Sequence, residues 1–250
     1  MIRALLLMAM LLAPEQGMFW SQNLSSGLVG WWKLGEGSGS TAADSSGNGN
    51  SGSWSGTAAG SSGYYSSGYL GPWAGTFDGS TDYIQLPSAT GIQSFSNGFS
   101  IALWAYPTAG SGTVMRTVLG NLSASGAGIS LLETTTGYWQ GRCYGCNNGS
   151  NVTLTSSATA TVNSWSFVAF TWGVNGSYGK GTLYVNGVAV STYSTAASQL
   201  YVASSSAWRV GKGYGFTGSP DSFVGRVDDV RIYNRALSAS EIAQMYLVHN

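Results

Sequence analysis

The chain has 250 residues, of which only 8% are charged, and ten Lys+Arg balance ten Asp+Glu to a formal net charge of zero. A soluble domain ordinarily carries about 25% charged residues, and an electrostatic nucleic-acid binder needs a basic surface, so this composition argues against one. Histidine chemistry is equally restricted. The sole histidine, His249, stands beside the C-terminus, which excludes a His-rich zinc centre and leaves a nucleophilic relay only a terminal residue. The four glutamates, Glu15, Glu36, Glu133 and Glu241, are scattered and lack the paired motif used for glycoside hydrolysis.

Taken from the N-terminus, one arginine at Arg3 precedes an apolar run over 4–13. That pattern fits a secretory signal and is too short to span a bilayer. No small-residue cleavage pattern ends at Ala13, because Leu11 stands two residues before it and Pro14 follows it. Two readings of residues 1–26 therefore stand: a signal peptide, or a retained arm that packs on a neighbouring subunit. Residues 45–73 are rich in Gly and Ser but contain Trp54, Tyr64, Tyr65 and Tyr69. Flexible linkers rarely hold so many rings, so this stretch reads as long surface loops with anchoring aromatics inside one β domain over 27–250.

From there the chain becomes a train of short alternating segments. Phe99, Ile101, Leu103 and Ala105 fall on one face of a strand, and Trp165, Phe167, Ala169 and Thr171 on one face of another. Both strands carry large rings on both faces, which predicts inner strands covered on two sides. Further strands are expected over 28–34, 76–86, 113–119, 128–132, 138–143, 152–155, 208–211 and 223–233. Asn186-Gly187 between two apolar triplets is a type I′ hairpin signal. The capping box Ser238-Ala-Ser-Glu241 before Ile242, Met245 and Tyr246 predicts one short C-terminal helix. The fold class is all-β: an antiparallel two-sheet jelly-roll sandwich with that helix. Cys143 and Cys146 fall between turn signals, Gly141 and Asn147-Asn148-Gly149. A small loop disulfide in an oxidising compartment leads over two free thiols and a redox pair.

An ordered set of motifs resembles the laminin-G-like, concanavalin A-like lectin/glucanase jelly-roll domains. It opens with Gly27-Leu-Val-Gly-Trp-Trp-Lys-Leu-Gly-Glu-Gly-Ser-Gly39 and Asp44-Ser-Ser-Gly-Asn-Gly-Asn50. It continues through Phe77-Asp-Gly-Ser-Thr-Asp-Tyr-Ile84, Phe99-Ser-Ile-Ala-Leu-Trp-Ala-Tyr-Pro107, Trp165-Ser-Phe-Val-Ala-Phe-Thr-Trp172 and Leu183-Tyr-Val-Asn-Gly187. It closes with Gly225-Arg-Val-Asp-Asp-Val-Arg-Ile-Tyr-Asn-Arg-Ala-Leu-Ser238. The run at 1–26 and the aromatic-studded stretch over 53–73 depart from the family pattern. The resemblance implies a structural Ca²⁺ at the sandwich edge. Asp44, Asn48, Asn50 and Asp228 offer the hard oxygens it would need, with Asp78 and Asp82 as weaker candidates. Asx-turns at Asp44 and Asn48 and an Asp229 pair with Arg231 or Arg235 are the competing structural roles.

Loop aromatics can stack on sugar rings while Asn, Asp and Gly bond hydroxyls. On that basis Trp54, Tyr64, Tyr65, Trp139, Tyr144 and Tyr214 are candidate ligand-binding residues, whereas Trp104, Trp165 and Trp172 belong to the core. The leading expectation is a non-catalytic recognition or adhesion module for glycan or protein, extracellular or on a cell surface, with neither nucleic acid nor a transmembrane span. The alternative is a structural virion or filament protein that contacts neighbouring subunits at a virion surface. A glycoside hydrolase on the same fold is the weakest of the three.

Overall fold

The computed structural model describes residues 24–87, 95, 98–110, 112, 114–122, 128–147, 150–175, 178–196, 206–214 and 221–248. The apolar run at 4–13, Glu15 and His249 lie outside these residues. In chain order the first strands are β1 (Leu28–Trp32), β2 (Thr41–Ala42), β3 (Gly52–Ser55), β4 (Tyr65–Ser66), β5 (Ala74–Asp78) and β6 (Tyr83–Gln85). The long central strands follow: β7 (Gly98–Pro107), β8 (Arg116–Gly120), β9 (Gly128–Glu133), β10 (Tyr138–Asn147), β11 (Ser150–Thr159) and β12 (Ser166–Asn175). The chain closes with β13 (Tyr178–Val185), β14 (Val188–Ala196), β15 (Arg209–Val210), β16 (Val224–Tyr233) and the helix α1 (Ala239–Val248).

Two antiparallel sheets form the sandwich expected from the sequence. One runs β14-β13-β12-β7-β16-β5-β4, with β1 also paired to β16, and the other runs β11-β10-β9-β8-β15-β6-β3-β2. The alternation in β7 and β12 divides their side chains between two cores. Phe99, Ile101, Leu103, Val168, Phe170 and Trp172 point between the sheets. Ala102, Trp104, Phe167 and Ala169 point outward and are covered by Leu237, Ile242 and Met245 at and before α1. Both faces of this sheet are therefore dry where the helix lies, which accounts for the two-sided apolar patterning of β7 and β12. Trp165 is only half-buried, packed at the rim of the outer core.

Local chemistry sets the turns. Asn186 and Gly187 take φ of 51° and 78°, as a type I′ hairpin requires. Ser238 Oγ accepts the Glu241 N–H while the Glu241 carboxylate accepts the Ser238 N–H, closing the capping box. The segment over 76–86 is two strands rather than one. Asp78 accepts hydrogen bonds from the backbone N–H of Ser80, Thr81 and Asp82, which folds a turn into the middle of it. The predicted loop around the cysteines is instead part of β10. Cys143 and Cys146 are disulfide-paired with Cα atoms 5.6 Å apart, and both are fully buried. Their strand loses register with β11 between Cys143 and Asn147, so the cysteines sit at an irregularity within the ladder.

Candidate functional site

The most distinctive local arrangement lies on β16, which changes partners part-way along. Val224 to Val227 pair with β5, and Val230 to Tyr233 pair with β1. Asp228 and Asp229 fall in the interval between these two partners. The register against β7 also shifts there, between Asp228 and Arg231, and Asp229 takes a φ of 53°. This bulge opens the sheet where the end of β1 meets the approach to β5. A pocket of about 280 Å³ forms in the opening, lined by Trp31, Lys33 and Gly35 on one side and Leu70, Gly71 and Trp73 on the other, with Asp228 and Asp229 at the bulge.

Each carboxylate is held by named donors. Asp228 Oδ2 accepts the backbone N–H of Tyr69 at 2.9 Å and of Leu70 at 3.1 Å, which ties the 69–71 segment to the strand. Burial raises the Asp228 carboxyl to about 6; the two amides pull it down and the Asp229 charge pushes it up. Asp229 Oδ1 accepts the Trp31 indole N–H and the Arg231 guanidinium, and Arg231 Nη2 lies 3.0 Å from Asp229 Oδ2. Arg231 and Lys33 both lie 4.4 Å from the Trp31 ring centroid. Trp73 is positioned by a close backbone approach: a Cβ at Gly37, where φ is +70°, would meet the Trp73 indole nitrogen at 2.4 Å. The result is two half-buried indoles, a lysine and two carboxylates around one opening.

The residues anticipated for metal binding are each engaged in hydrogen bonds within the protein. The Asp44 carboxylate accepts the N–H groups of Trp31, Ser46 and Asn50 and the Ser46 hydroxyl. Asn48 Nδ2 donates to the Leu28 and Val29 carbonyls, and Asn50 Nδ2 donates to Val29 O at 2.8 Å. These three residues close the loop that follows β1, while Asp228 is committed to Tyr69 and Leu70. Asp78 and Asp82 accept backbone amides of their own turn and of residues 57–59. Among the described residues, no group of three or more His, Cys, Asp or Glu could hold a metal ion. Asp44, Asn48 and Asn50 gather in the loop after β1 and Asp228 stands in the β16 bulge, and no role here is assigned through a Ca²⁺.

Three of the anticipated ligand-binding aromatics are corrected to core residues. Trp54, Tyr65 and Trp139 are 6%, 0% and 1% exposed. Trp54 is on β3 and Tyr65 on β4, and they close the core together: Trp54 Nε1 donates to the Tyr65 hydroxyl at 3.0 Å, which donates to Thr41 O. Tyr64 lies flat on Trp54 with centroids 4.7 Å apart, so one of its faces is covered. Tyr144 is half-buried on β10. Tyr214 is half-buried near β15, under the Arg209 guanidinium at 3.9 Å. Trp31, Lys33 and Trp73 are the pocket residues that sequence reasoning did not single out. Their signal was faint: in Trp31-Trp32, alternation sends one ring to the core and the other outward, and Trp32 is the core member, its N–H donated to Asn50 O at 2.8 Å. A second groove, of about 390 Å³, runs past Tyr106. There Arg226 already lies 3.7 Å from the Tyr106 ring and donates to Ser67, so the ring face is occupied.

Residues 78–243 match the laminin-G-like family described as the concanavalin A-like lectin/glucanases superfamily. No curated protein sequence matches the chain. Among solved structures, it is similar to domain 4 of AbnA, a GH43 extracellular arabinanase from Geobacillus stearothermophilus, in complex with arabinotriose. That likeness has a TM-score of 0.57 at 22% identity and covers 88% of this chain and 98% of that one. It is also similar to the binding domain of Paraclostridial Mosquitocidal Protein 1, with a TM-score of 0.65 at 20% identity, covering 90% of this chain and 53% of that one. The binding domain of Botulinum Neurotoxin DC in complex with SialylT gives a TM-score of 0.65 at 14% identity, covering 91% and 52%. The chain thus spans about half the length of those two toxin domains. At these identities the likeness establishes a shared fold. The family match covers most of the chain and agrees with the two-sheet architecture: this protein belongs to the concanavalin A-like lectin/glucanases superfamily.

Proposed function

We propose that the chain is a non-catalytic recognition module that binds a saccharide in the pocket at the β16 bulge and works outside the cell. The observation that carries this reading is the meeting of Trp31 and Trp73 with Lys33, Asp228 and Asp229 around a single opening. Indole rings take the apolar C–H faces of a sugar, while a lysine and carboxylates bond its hydroxyls. A neighbouring fold solved with arabinotriose supports the ligand class. The carboxylates serve as fixed acceptors: Asp229 is held by Arg231 and Trp31, and Asp228 by two backbone amides, which supports recognition over hydrolysis. The Cys143–Cys146 pairing supports an oxidising, extracellular setting.

The test is a glycan array followed by calorimetry on the intact chain and on Trp73→Ala. Removing an aromatic anchor from the centre of a binding site costs about 2 kcal/mol, or roughly thirtyfold in affinity. We expect that loss with a melting temperature close to the parent's. Trp73→Ala binding its best glycan as tightly as the parent, or turnover of that glycan by the parent, would remove the reading.

A further inference from the structure

A second cluster, on the other sheet, uses none of the pocket residues. Arg209 opens β15 and pairs in register with Gln85 of β6 and Gly120 of β8. Its guanidinium is fixed on several sides. Nε donates to Gln85 Oε1 at 3.0 Å, and Cζ lies 3.9 Å from the Tyr214 ring centroid and 4.8 Å from that of Tyr83. Tyr214 is itself pinned, its hydroxyl donating to Ala207 O at 2.7 Å. Lys212 stands beside the group, with Nζ 5.5 Å from the Tyr83 centroid and donating to Ser80 O at 3.0 Å.

Among the described residues neither cation is part of an ion pair. Among the described residues the ion pairs join Arg116 to Glu133, Arg231 to Asp229 and Arg235 to Glu241. Glu15 is the one acidic residue of the chain that lies outside the described residues. The acids nearest in sequence are engaged by other groups, with the Asp221 carboxylate also packed against Gly213 beside Lys212. Asp78 and Asp82 accept turn amides, and Asp221 accepts the Thr117 hydroxyl at 3.1 Å. In a chain this poor in charge, two cations thus approach one tyrosine ring, and among the described residues neither of them forms an ion pair. A guanidinium presents five N–H donors in a rigid plane. With Nε used and the ring contacts limiting rotation, its remaining N–H edge is pre-oriented for the two oxygens of a carboxylate.

We infer that Arg209 and Lys212, framed by Tyr83 and Tyr214, form a second binding site that takes the carboxylate of an acidic saccharide. The saccharide part of this assignment rests on the function proposed above; the anionic part rests on the cluster alone. Arg209 receives the carboxylate in the plane of its guanidinium, Lys212 adds a second positive charge, and the two tyrosine rings keep Arg209 from folding away.

The experiment titrates the full chain with a glucuronic-acid-containing oligosaccharide, with its carboxyl-reduced counterpart and with sodium acetate, following the Arg209 Nε–H resonance and the calorimetric affinity. The acidic oligosaccharide is expected to move that resonance and to bind at least about tenfold more tightly than the carboxyl-reduced one. R209Q abolishes the difference, R209K restores only part of it, and K212Q reduces it severalfold, each variant melting like the parent. Three results overturn the inference: equal binding of the two oligosaccharides, an R209Q chain that retains the preference, or an Arg209 resonance that neither oligosaccharide moves. Acetate acting as strongly as the acidic oligosaccharide also overturns it, since the site would then read the anion without the sugar. Loss of the preference in R209Q, combined with a Trp73→Ala chain of undiminished glycan binding, would leave this site standing and remove the bulge pocket.

Discussion

Two aspartates show how one residue type takes opposite electrostatic roles in this chain. Burial raises the Asp44 carboxyl, but the bonds from Ser46, Trp31 and Asn50 outweigh it and hold it below its ordinary 3.8. Its contribution to stability is therefore present above pH 3.8 and lost as pH falls through the folded value. Asp228 behaves in the reverse sense. Its folded value of about 6 lies above the unfolded 3.8, so its contribution is complete below pH 3.8 and is lost as pH rises through 6. Asp228→Asn keeps a carbonyl acceptor for Tyr69 and Leu70 and removes the titration. We expect the melting temperature of the variant to lose the decline that Asp228 contributes between pH 4 and 6, while its acid limb stays. A variant whose profile matches the parent's across that interval would contradict the assignment of this window to Asp228. The residue scale is also where sequence reading was weakest. Trp54 and Tyr65 looked like loop aromatics because Gly and Ser surround them, yet each is on a short strand that faces the core. A small residue there marks close packing: a Cβ at Gly60 would meet the Tyr65 backbone at 2.6 Å.

At the scale of elements, the hairpin and the helix depend on one another. The β13–β14 turn was legible because Asn-Gly carries its own backbone requirement, and α1 because its cap is written in four consecutive residues. What the sequence does not carry is their contact. A Cβ at Gly187 would stand 3.0 Å from the Tyr246 ring, which also lies 5.6 Å from the Trp104 ring in the outer core. Gly187→Ala thus meets two obstacles, a φ of +78° and a helix side chain. The expected cost is about 1 kcal/mol for the backbone, plus whatever the displaced helix loses. Denaturant unfolding measures the sum, and an unchanged midpoint would show that the turn does not bear on the helix. The bulge on β16 is harder still to read. Asp228-Asp229 is visible as a pair of acids, but the change of strand partner depends on residues about 150 and 200 positions away. Local pattern carries no record of that pairing, and so Trp31, Lys33 and Trp73 could not be grouped in advance.

Over the whole molecule, the two-sheet plan was readable because periodicity survives in the long strands. Phe99, Ile101, Leu103 and Ala105 all belong to the inter-sheet core, as their alternation requires. Stability rests on that core rather than on the cross-link within β10. Cys143 and Cys146 are separated by three positions, so their bond closes a very short loop and restricts the unfolded chain by only about 2 kcal/mol. Replacing both with alanine should lower the melting temperature by about 4–8 °C and leave a single cooperative transition. A chain that is unfolded at room temperature after this double change would mean that the bond, not the core, sets the fold.

The pairing of β1 with β16 has a mechanical consequence. Gly27 O accepts the Asn234 N–H, so the start of one strand and the end of the other sit side by side. Tension applied across that point would not shear the ladder as a block. It would peel β1 from β16 one hydrogen bond after another, starting at Leu28 and arriving at Trp31. The pocket wall belongs to the strand that is being peeled. A pull on this end of the sandwich would therefore loosen the site before the rest of the sheet yields, and grip on a ligand would fall with load.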